Sequence, residues 1–314
     1  MNPWSIFWRH GHSTTFGEYF KQGYDGAVAD WWRGIVATLP RDATVVEVAC
    51  GNCSLLPVLV KGGMGARYVG VDLAAVAPSD VAAQGLETSG IEVTVHAETP
   101  IEAVPEPDGV ADIVASVFGI EYSDLDRSVP EAARLLKPGG RFAALVHHAD
   151  SVVTTMSKRA VGEYRADDIH AAIGALRAIN AERDRLASLA ELKSSPKAEQ
   201  GRAKINDLAQ RYLSDTDPAT ANATMFEFMT HALKFFKLIG APPADRAAFI
   251  DTLEAEHAAS HERFLQMVSV GRDADGIEAM RGQLDGSGFT AAQSRVIRSG
   301  RDILAWELTA ARSA

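Results

Sequence analysis

The chain has 314 residues, of which 46% are hydrophobic and 23% are charged, and its formal net charge is -10 at pH 7. This composition is typical of a globular protein with a large core, whereas the acidic net charge argues against a nucleic-acid or anionic-membrane partner. There is no long apolar run and no signal-peptide pattern, and the only cysteines are Cys50 and Cys53, so we expect a cytoplasmic protein without a disulfide framework.

The first 24 residues are rich in aromatic side chains but show little helical periodicity. We interpret them as a segment that packs on the core as a clasp or closes over a ligand as a lid, because such rings combine a large apolar area with polar tips. Two histidines of this segment, His10 and His12, could reach the same ligand. A helical pattern then begins near Asp25 and ends at Pro40. The aromatic residues are Trp4, Phe7, Trp8, Phe16, Tyr19, Phe20 and Tyr24.

Strand-like and helix-like segments alternate from residue 44 to residue 148, which predicts a parallel sheet with helices on both faces. The motif Leu136-Lys137-Pro138-Gly139-Gly140-Arg141 ends the last of these helices. We expect strands near 44–49, 67–72, 91–96, 111–117 and 140–147, and helices near 54–61, 77–87 and 125–136.

The segment from Thr44 to Leu56 organises this region. A β-branched strand closes with the acid Glu47 and enters a helix through a turn of small residues. Such a turn directs backbone N–H groups at one point, where a carboxylate or phosphate can bind. The next strand also ends in an acid, Asp72, at the distance expected of a βαβ unit. In nucleoside-binding sheets an acid at this position accepts hydrogen bonds from the ribose hydroxyls.

From about residue 155 to residue 284, alanine and mixed charges dominate at helical spacing. This pattern predicts about four helices, with breaks near 194–196, 215–218 and 241–243. His257 and His261 share one helix face and could hold a metal, but their acidic neighbours fit a solvated surface, and we predict no metal site.

One helix of this block is more aromatic than the others and predicts a helical core, a dimer face or the wall of an apolar substrate pocket. Its residues are Met225, Phe226, Phe228, Met229, His231, Phe235 and Phe236.

Two strands end the chain, near Ser294–Ile297 and Ile303–Leu308, and a short turn joins them as an antiparallel hairpin. Because they return to the sheet, the helical block is predicted to be an insertion.

At this point the chain resembles the class I S-adenosylmethionine-dependent methyltransferases. The resemblance covers 44–148 and 288–310, and it depends on motifs that occur in the order of that family. These are Glu47-Val48-Ala49-Cys50-Gly51-Asn52-Cys53, Val71-Asp72, Ala97-Glu98 followed by Pro105–Asp112, Leu135–Gly140 and Gly288-Phe289. The first motif departs from the family pattern, because Ala49 and Cys53 stand where the family has glycines.

The resemblance implies a Rossmann-like, mostly parallel seven-stranded sheet that binds S-adenosylmethionine. It also implies which residues meet the cofactor: Glu47, Ala49, Cys50, Gly51, Asp72, Leu73, Ala97, Glu98, Val117 and Phe118. The pair Cys50 and Cys53 leaves a rival open, since Cys-x-x-Cys at the start of a helix also resembles a thioredoxin-type redox site.

Methyl transfer requires alignment of donor and acceptor and, for some acceptors, a general base. Residues after the fourth and fifth strands face the reacting methyl group in this architecture. His147 and His148 are therefore candidate bases, one of which should point towards the cleft because neighbouring strand residues face opposite sides. Glu121 and Tyr122 are candidates to orient the acceptor.

We therefore predict an aromatic lid segment at 1–24, a cofactor-binding core at 25–150 and 286–314, and a helical insertion at 151–285 that roofs the substrate site or forms a homodimer. The predicted activity is transfer of a methyl group to an N or O atom of a small molecule. A catalytically inactive binding or scaffold protein of the same fold, or a protein or RNA methyltransferase, is the alternative.

Overall fold

The computed structural model describes residues 2–16, 22–64 and 67–313. Tyr19 and Phe20 of the predicted aromatic segment lie outside these ranges. The chain divides into two compact units. The sheet unit comprises Met1–Ser157 and Gln266–Ala314, and the helical unit comprises Lys158–Leu265.

Seven strands form one sheet in the order β3-β2-β1-β4-β5-β7-β6. The first five strands pair in parallel, and β7 pairs antiparallel with both β5 and β6. The predicted fold class, a mostly parallel seven-stranded sheet closed by an antiparallel hairpin, is confirmed. The strands are β1 (Thr44–Val48), β2 (Arg67–Val71), β3 (Glu92–His96), β4 (Ala111–Val117), β5 (Leu136–Val146), β6 (Phe289–Ser299) and β7 (Asp302–Arg312).

Thirteen α-helices occur in the described residues, together with short 3-10 helices at Ile120–Tyr122 and Lys234–Leu238. The α-helices are α1 (Pro3–Trp8), α2 (Gly26–Val36), α3 (Leu56–Lys61), α4 (Asp80–Ala83), α5 (Leu86–Ser89), α6 (Leu125–Leu135), α7 (Val152–Glu163), α8 (Ala166–Arg185), α9 (Leu189–Ser194), α10 (Pro196–Leu213), α11 (Ala223–Leu233), α12 (Pro243–Val270) and α13 (Ala274–Gly286).

The central strands are buried on both faces, which is why they consist of nearly continuous apolar runs. One apolar cluster includes Trp32 of α2 and lies against Val45 of β1. The other includes Val46, the next residue of β1, and contains Ile277 and Leu284 of α13. Successive strand residues therefore face opposite apolar layers, as the pleat requires.

The predicted helix at 77–87 is two short helices, α4 and α5, instead of one. Gln84 has an extended ψ of 122° and Gly85 has a left-handed φ of 78°, and neither conformation continues an α-helix. The isolated glycine therefore ends α4 and changes the direction of the chain.

The helical unit has the predicted breaks, with Ser195 between α9 and α10 and Pro243 at the start of α12. It has two further breaks, at 164–165 between α7 and α8 and at 186–188. At the second, Leu186 is extended and Ser188 caps α9 by accepting a hydrogen bond from Glu191 N. The aromatic helix α11 contributes to its core, where Met225, Phe228 and Met229 are buried together with Phe235. A role of the helical block as a substrate roof or a dimer face stays a prediction.

Helix α13 belongs to the sheet unit, where its apolar face packs in the same cluster as Phe142 and Phe289. The compact helical unit is therefore shorter than the predicted insertion at 151–285. No helix in the described part of the chain combines the length and apolar character that a membrane span requires.

Candidate active site

The turn after β1 keeps a left-handed backbone at every second residue. The φ angles are 53° at Ala49, 50° at Gly51 and 65° at Cys53. For an L-residue with a side chain, this conformation costs roughly 1–2 kcal/mol. Ala49 and Cys53 thus adopt a backbone that favours glycine, and the surrounding structure must compensate for this cost.

The carboxylate of Asp72 joins this turn to the segment after β2. Its Oδ2 atom accepts a hydrogen bond from Gly51 N at 2.8 Å, and its Oδ1 atom accepts one from Ala74 N at 2.8 Å. The residue is 8% exposed, and burial raises the pKa of its carboxyl group, while the two backbone hydrogen bonds lower it.

A cavity of about 530 Å³ lies beside Asp72, entirely within the sheet unit. Ligand pockets in proteins commonly have volumes of about 300–1,000 Å³. The walls of the cavity beside Asp72 come from the N-terminal residues, the turn after β1, the segments after β2, β3 and β4, and the end of α12. The lining residues are Asn2, Pro3, Trp4, Trp8, Thr15, Ala49, Asp72, Leu73, Ala74, Pro100, Ile101, Glu102, Phe118, Gly119, Tyr122, Ser123, Asp124, Gln266, Ser269 and Val270.

Four of the predicted cofactor residues line this cavity, namely Ala49, Asp72, Leu73 and Phe118. Gly51 does not, because the ring of Trp8 covers it so closely that a Cβ atom built at Gly51 would overlap the ring. The remaining five lie outside the lining residues: Glu47, Cys50, Ala97, Glu98 and Val117.

After β3, the cavity wall begins three residues later than predicted, at Pro100 instead of Ala97. Pro100, Ile101 and Glu102 line it, whereas Glu98 has a left-handed φ of 53° and donates its backbone N–H to Ala74 O at 3.1 Å. The predicted motif Ala97-Glu98 therefore forms the turn that places the lining residues.

Glu47 lies fully buried beneath the turn, where it accepts hydrogen bonds from Tyr68 Oη at 2.5 Å and Ser54 Oγ at 3.4 Å. Burial raises the pKa of its carboxyl group from 4.5 to about 8. A carboxyl group with this pKa is largely protonated at neutral pH. In this structure it connects the turn to β2 and does not reach the cavity.

The thiols of Cys50 and Cys53 are buried within the apolar core. A hydrogen bond with Cys53, and then burial, raise the pKa of the Cys50 thiol well above its usual value. A redox-active Cys-x-x-Cys site needs a lowered thiol pKa and an accessible sulfur. The geometry therefore gives no support to the redox alternative.

His147 and Glu121 form a buried pair at the C-terminal end of β5. The Oε1 atom of Glu121 accepts hydrogen bonds from the backbone N of His147 at 2.8 Å and from His147 Nδ1 at 2.7 Å. The side chains are 1% and 0% exposed, and neither His147 Nε2 nor Glu121 Oε2 has a hydrogen-bond partner among the described residues. The His147 ring packs edge-on against Phe118 and Tyr122, at centroid distances of 5.0 and 5.7 Å.

His148 turns away from these residues, as the alternation along a strand requires. Its ring stacks on Trp306 of β7 at 4.7 Å, and its Nδ1 atom accepts a hydrogen bond from Asp150 N at 3.0 Å. Burial lowers the pKa of the imidazole. His148 is not among the residues that line the cavity.

None of the other histidines singled out in the sequence, His147 included, is among the residues that line the cavity. The His12 ring stacks on Phe7 at 4.2 Å and lies 6.0 Å from the His10 ring. In the helical unit, His257 packs against Phe228, and burial together with nearby His231 lowers its pKa to about 4. No cluster of metal-binding side chains occurs in the described ranges.

Sequence reasoning missed Asn52, whose amide hydrogen-bonds to the N-terminal residues, and Gly119, which lies against Ala49. An asparagine between a glycine and a cysteine is also an ordinary turn residue, so the pattern gave no signal for its contacts. Gln266, Ser269 and Val270 were missed because they end a long helix that the sequence joins to the helical block.

The cavity residues fit S-adenosylmethionine, the cofactor that the family resemblance implies. A carboxylate offers about four lone-pair positions, and backbone N–H groups occupy two of those of Asp72. The others can accept hydrogen bonds from the ribose hydroxyls. The carboxylates of Glu102 and Asp124 and the rings of Trp4 and Tyr122 are suited to a positively charged ligand.

Comparison with known proteins gives a match in the same part of the chain. Residues 46–144 match the sequence model of a family described as Methyltransferase domain. The chain is also 39% identical over 62 residues to the ubiquinone/menaquinone biosynthesis C-methyltransferase UbiE of Caulobacter sp. (strain K31), over 19% of this chain and 25% of that protein. The chain therefore matches about a quarter of the length of this relative.

Solved structures are similar at low identity. The carbon methyltransferase CurJ is 12% identical, with a TM-score of 0.40 over 92% of this chain and 56% of its own. The geranyl diphosphate C-methyltransferase of Streptomyces coelicolor A3(2) is 23% identical, with a TM-score of 0.30 over 38% of this chain and 45% of its own. The family match and the strand order confirm the predicted resemblance to class I S-adenosylmethionine-dependent methyltransferases.

The contact between Ala49 and Gly119 predicts that Gly119→Ala destabilises the protein on its own and that a second substitution at Ala49 restores the stability. A Cβ atom built at Gly119 would overlap the Ala49 Cβ, so Gly119→Ala should lower the free energy of unfolding by about 1–3 kcal/mol through overpacking. The double variant Gly119→Ala with Ala49→Gly moves the methyl group to the other side of the contact and should regain most of this loss. Urea unfolding of the two single variants and the double variant measures the coupling. Strict additivity of the two changes would contradict the contact.

The buried Glu47 predicts a pH dependence of stability. Because its folded pKa of about 8 lies above the ordinary value of 4.5, the folded state keeps a proton that the unfolded state releases between these values. The free energy of unfolding should therefore fall as the pH rises through this window, by up to about 1.4 kcal/mol per pH unit from this group. Unfolding of the wild type and of Glu47→Gln, from pH 5 to pH 8, isolates the contribution.

The matched control is Glu92→Gln, which removes an exposed carboxylate of β3. The free energy of unfolding of Glu92→Gln should differ from that of the wild type by nearly the same amount at every pH in this range. If Glu47→Gln behaved in the same way, the assignment of a buried, protonated carboxyl group would be wrong.

Proposed function

We propose that this chain, which contains a class I methyltransferase domain, transfers the methyl group of S-adenosylmethionine to an N or O atom of a small, uncharged molecule. The observation that carries the proposal is the junction at Asp72. One carboxylate holds the turn after β1 and the segment after β2 together and still faces the cavity.

The cofactor would supply a methyl group activated by its sulfonium. Asp72 would hold the ribose, while Leu73 and Ile101 offer apolar surfaces for the adenine. The protein then has two tasks at the reacting end, which are to align the acceptor with the methyl group and to remove a proton where the acceptor carries one.

His147 is the residue that we propose as the base. Its Nδ1 atom lies 2.7 Å from Glu121 Oε1, so the ring proton resides on Nδ1 and the lone pair of Nε2 can accept a proton. Glu121 then stabilises the imidazolium that forms, as a carboxylate orients histidine in other active sites. The His147 ring is 1% exposed and does not itself line the cavity. The rings of Phe118 and Tyr122 line it and pack against the imidazole, so an acceptor reaches Nε2 when these two rings move apart.

The charge of the cavity favours an acceptor without phosphate or carboxylate groups. Among the described residues that line it, the charged side chains are Asp72, Glu102 and Asp124, and none is lysine, arginine or histidine. A buried anion would meet like charges and find no cation to pair with, which is costly. Aromatic phenols and amines match the rings of Trp4, Phe118 and Tyr122.

Calorimetric titration with S-adenosylmethionine and S-adenosylhomocysteine tests the cofactor assignment. The wild type should bind both. Asp72→Asn should raise the dissociation constants by about 10–100-fold, because the charge-assisted hydrogen bonds to the ribose are weakened. Asp80→Asn, the same change at an exposed position of α4, is the matched control and should bind as the wild type does.

If the folded wild-type protein bound neither compound, the proposed methyltransferase activity would be wrong, and the alternative of an inactive scaffold protein would remain. Equal binding by Asp72→Asn and the wild type would remove only the ribose assignment.

Methyl transfer assays of His147→Gln and Glu121→Gln, with an acceptor found by screening neutral phenols and amines, test the base. Turnover should fall by roughly 10²–10⁴-fold in His147→Gln, with cofactor binding unchanged. The fall should be smaller in Glu121→Gln, which still accepts a hydrogen bond. His148→Gln is the control and should retain activity, because that ring stacks on Trp306. Full turnover by His147→Gln would exclude it as the base.

A further inference from the structure

We propose that Asn52 is a positioning residue that fastens the N-terminal strap, residues 2–16, to the cofactor turn and thereby sets how long the cofactor stays bound. The inference rests on the proposed function and adds the regulation of cofactor exchange. It concerns a side chain that does not line the cavity itself.

The side chain of Asn52 is 3% exposed, and its amide groups bond to two separate segments. Its Nδ2 atom donates to the carbonyl oxygens of Trp8 at 2.9 Å and of His12 at 3.0 Å. Its Oδ1 atom accepts from Ala77 N at 3.3 Å, and its backbone oxygen accepts from Ser79 N at 3.1 Å. Asn52 therefore connects the turn after β1, the strap and the segment after β2.

The strap forms part of the wall around the proposed cofactor. Five of its residues line the cavity: Asn2, Pro3, Trp4, Trp8 and Thr15. The Trp8 ring packs directly on Gly51, the neighbour of Asn52 in the turn. A ligand held in this cavity thus contacts the strap in its present position, and movement of the strap would remove one wall.

Other hydrogen bonds hold the strap elsewhere. Trp4 Nε1 donates to Gln266 Oε1 at 2.8 Å, and Ser5 Oγ accepts from Ala75 N at 2.9 Å. Asn52 differs from these anchors because it belongs to the cofactor turn. The position of the strap and the conformation of the turn are consequently joined through the Asn52 amide, next to the contact of the Trp8 ring with Gly51.

The contacts of Asn52 require a side chain with two N–H donors and one oxygen acceptor. Both donors face carbonyl oxygens, so an aspartate of the same shape would place a carboxylate oxygen against two other oxygens. Asn52→Asp keeps the acceptor for Ala77 N and replaces two attractions by repulsion, whereas Asn52→Ala removes all three side-chain hydrogen bonds and adds no repulsion.

If the strap is open for a larger fraction of the time, the apparent affinity for a ligand that requires the closed form falls in proportion to the fraction of molecules that stay closed. Loss of two hydrogen bonds to a buried amide should weaken binding of S-adenosylhomocysteine about 10–100-fold in Asn52→Asp and less in Asn52→Ala. The change should appear mainly in the dissociation rate, because the strap lies across a ligand already bound.

Stopped-flow displacement of S-adenosylhomocysteine measures this rate in the wild type, Asn52→Asp and Asn52→Ala. Limited trypsin digestion at Arg9, in the strap, gives a second readout. S-adenosylhomocysteine should protect the peptide bond after Arg9 from cleavage in the wild type. In Asn52→Asp this protection should be lost at equal ligand occupancy. A purely structural role would lower the thermal midpoint without abolishing this ligand-dependent protection.

Asn206→Asp, at an exposed position of α10, controls for the added charge and should leave both readouts unchanged. If Asn52→Asp does not fold, Asn52→Ala is measured in its place, and its dissociation rate for S-adenosylhomocysteine should also exceed that of the wild type. Equal dissociation rates in the wild type and Asn52→Ala, with tight wild-type binding, would overturn the role of Asn52 and leave the proposed function intact. Absence of wild-type binding would overturn both.

Discussion

Two backbone N–H groups from different βα connections converge on the carboxylate of Asp72, and the cavity depends on this convergence. Asn52 also joins the turn after β1 to the segment after β2, but the two residues whose N–H groups meet at Asp72 offer no side chain for this purpose. Gly51 has none, and Ala74 has only a methyl group. A carboxyl group that accepts hydrogen bonds from both backbone donors fixes their separation. The same carboxylate faces the cavity, so the group that shapes the site also offers the acceptor for a nucleoside.

Steric constraints around the turn then limit which side chains can occur. Ala49 takes a left-handed backbone and directs its methyl group at Gly119, which cannot carry a side chain there. Cys53 takes the same kind of backbone but directs its thiol into the apolar core. Cys53 can therefore replace a glycine because its thiol is buried in the apolar core. Ala49 can replace one because its methyl group lies against Gly119, which has no side chain.

The strands and the place of Asp72 directly after β2 could be predicted from the sequence, because a β-branched run closed by an acid is a local pattern with few other interpretations. The alternation of strand residues predicted that His147 and His148 face opposite sides, but it could not tell which one faces Tyr122. That choice depends on Glu121, whose carboxylate reaches the His147 ring from a different strand connection. Asn52 was missed for a similar reason, since both partners of its amide are backbone carbonyls that carry no sequence signal.

The pairing of β5 has a consequence for how this chain folds during synthesis. Strand β5 ends at Val146, yet its antiparallel neighbour β7 begins only at Asp302, after the whole helical unit. On the ribosome, one edge of β5 therefore stays unpaired while the helical unit emerges and folds. Exposed apolar strand edges promote association between chains. The order of the strands along the chain therefore leaves this edge of β5 open to pairing with other chains until β7 has been synthesised.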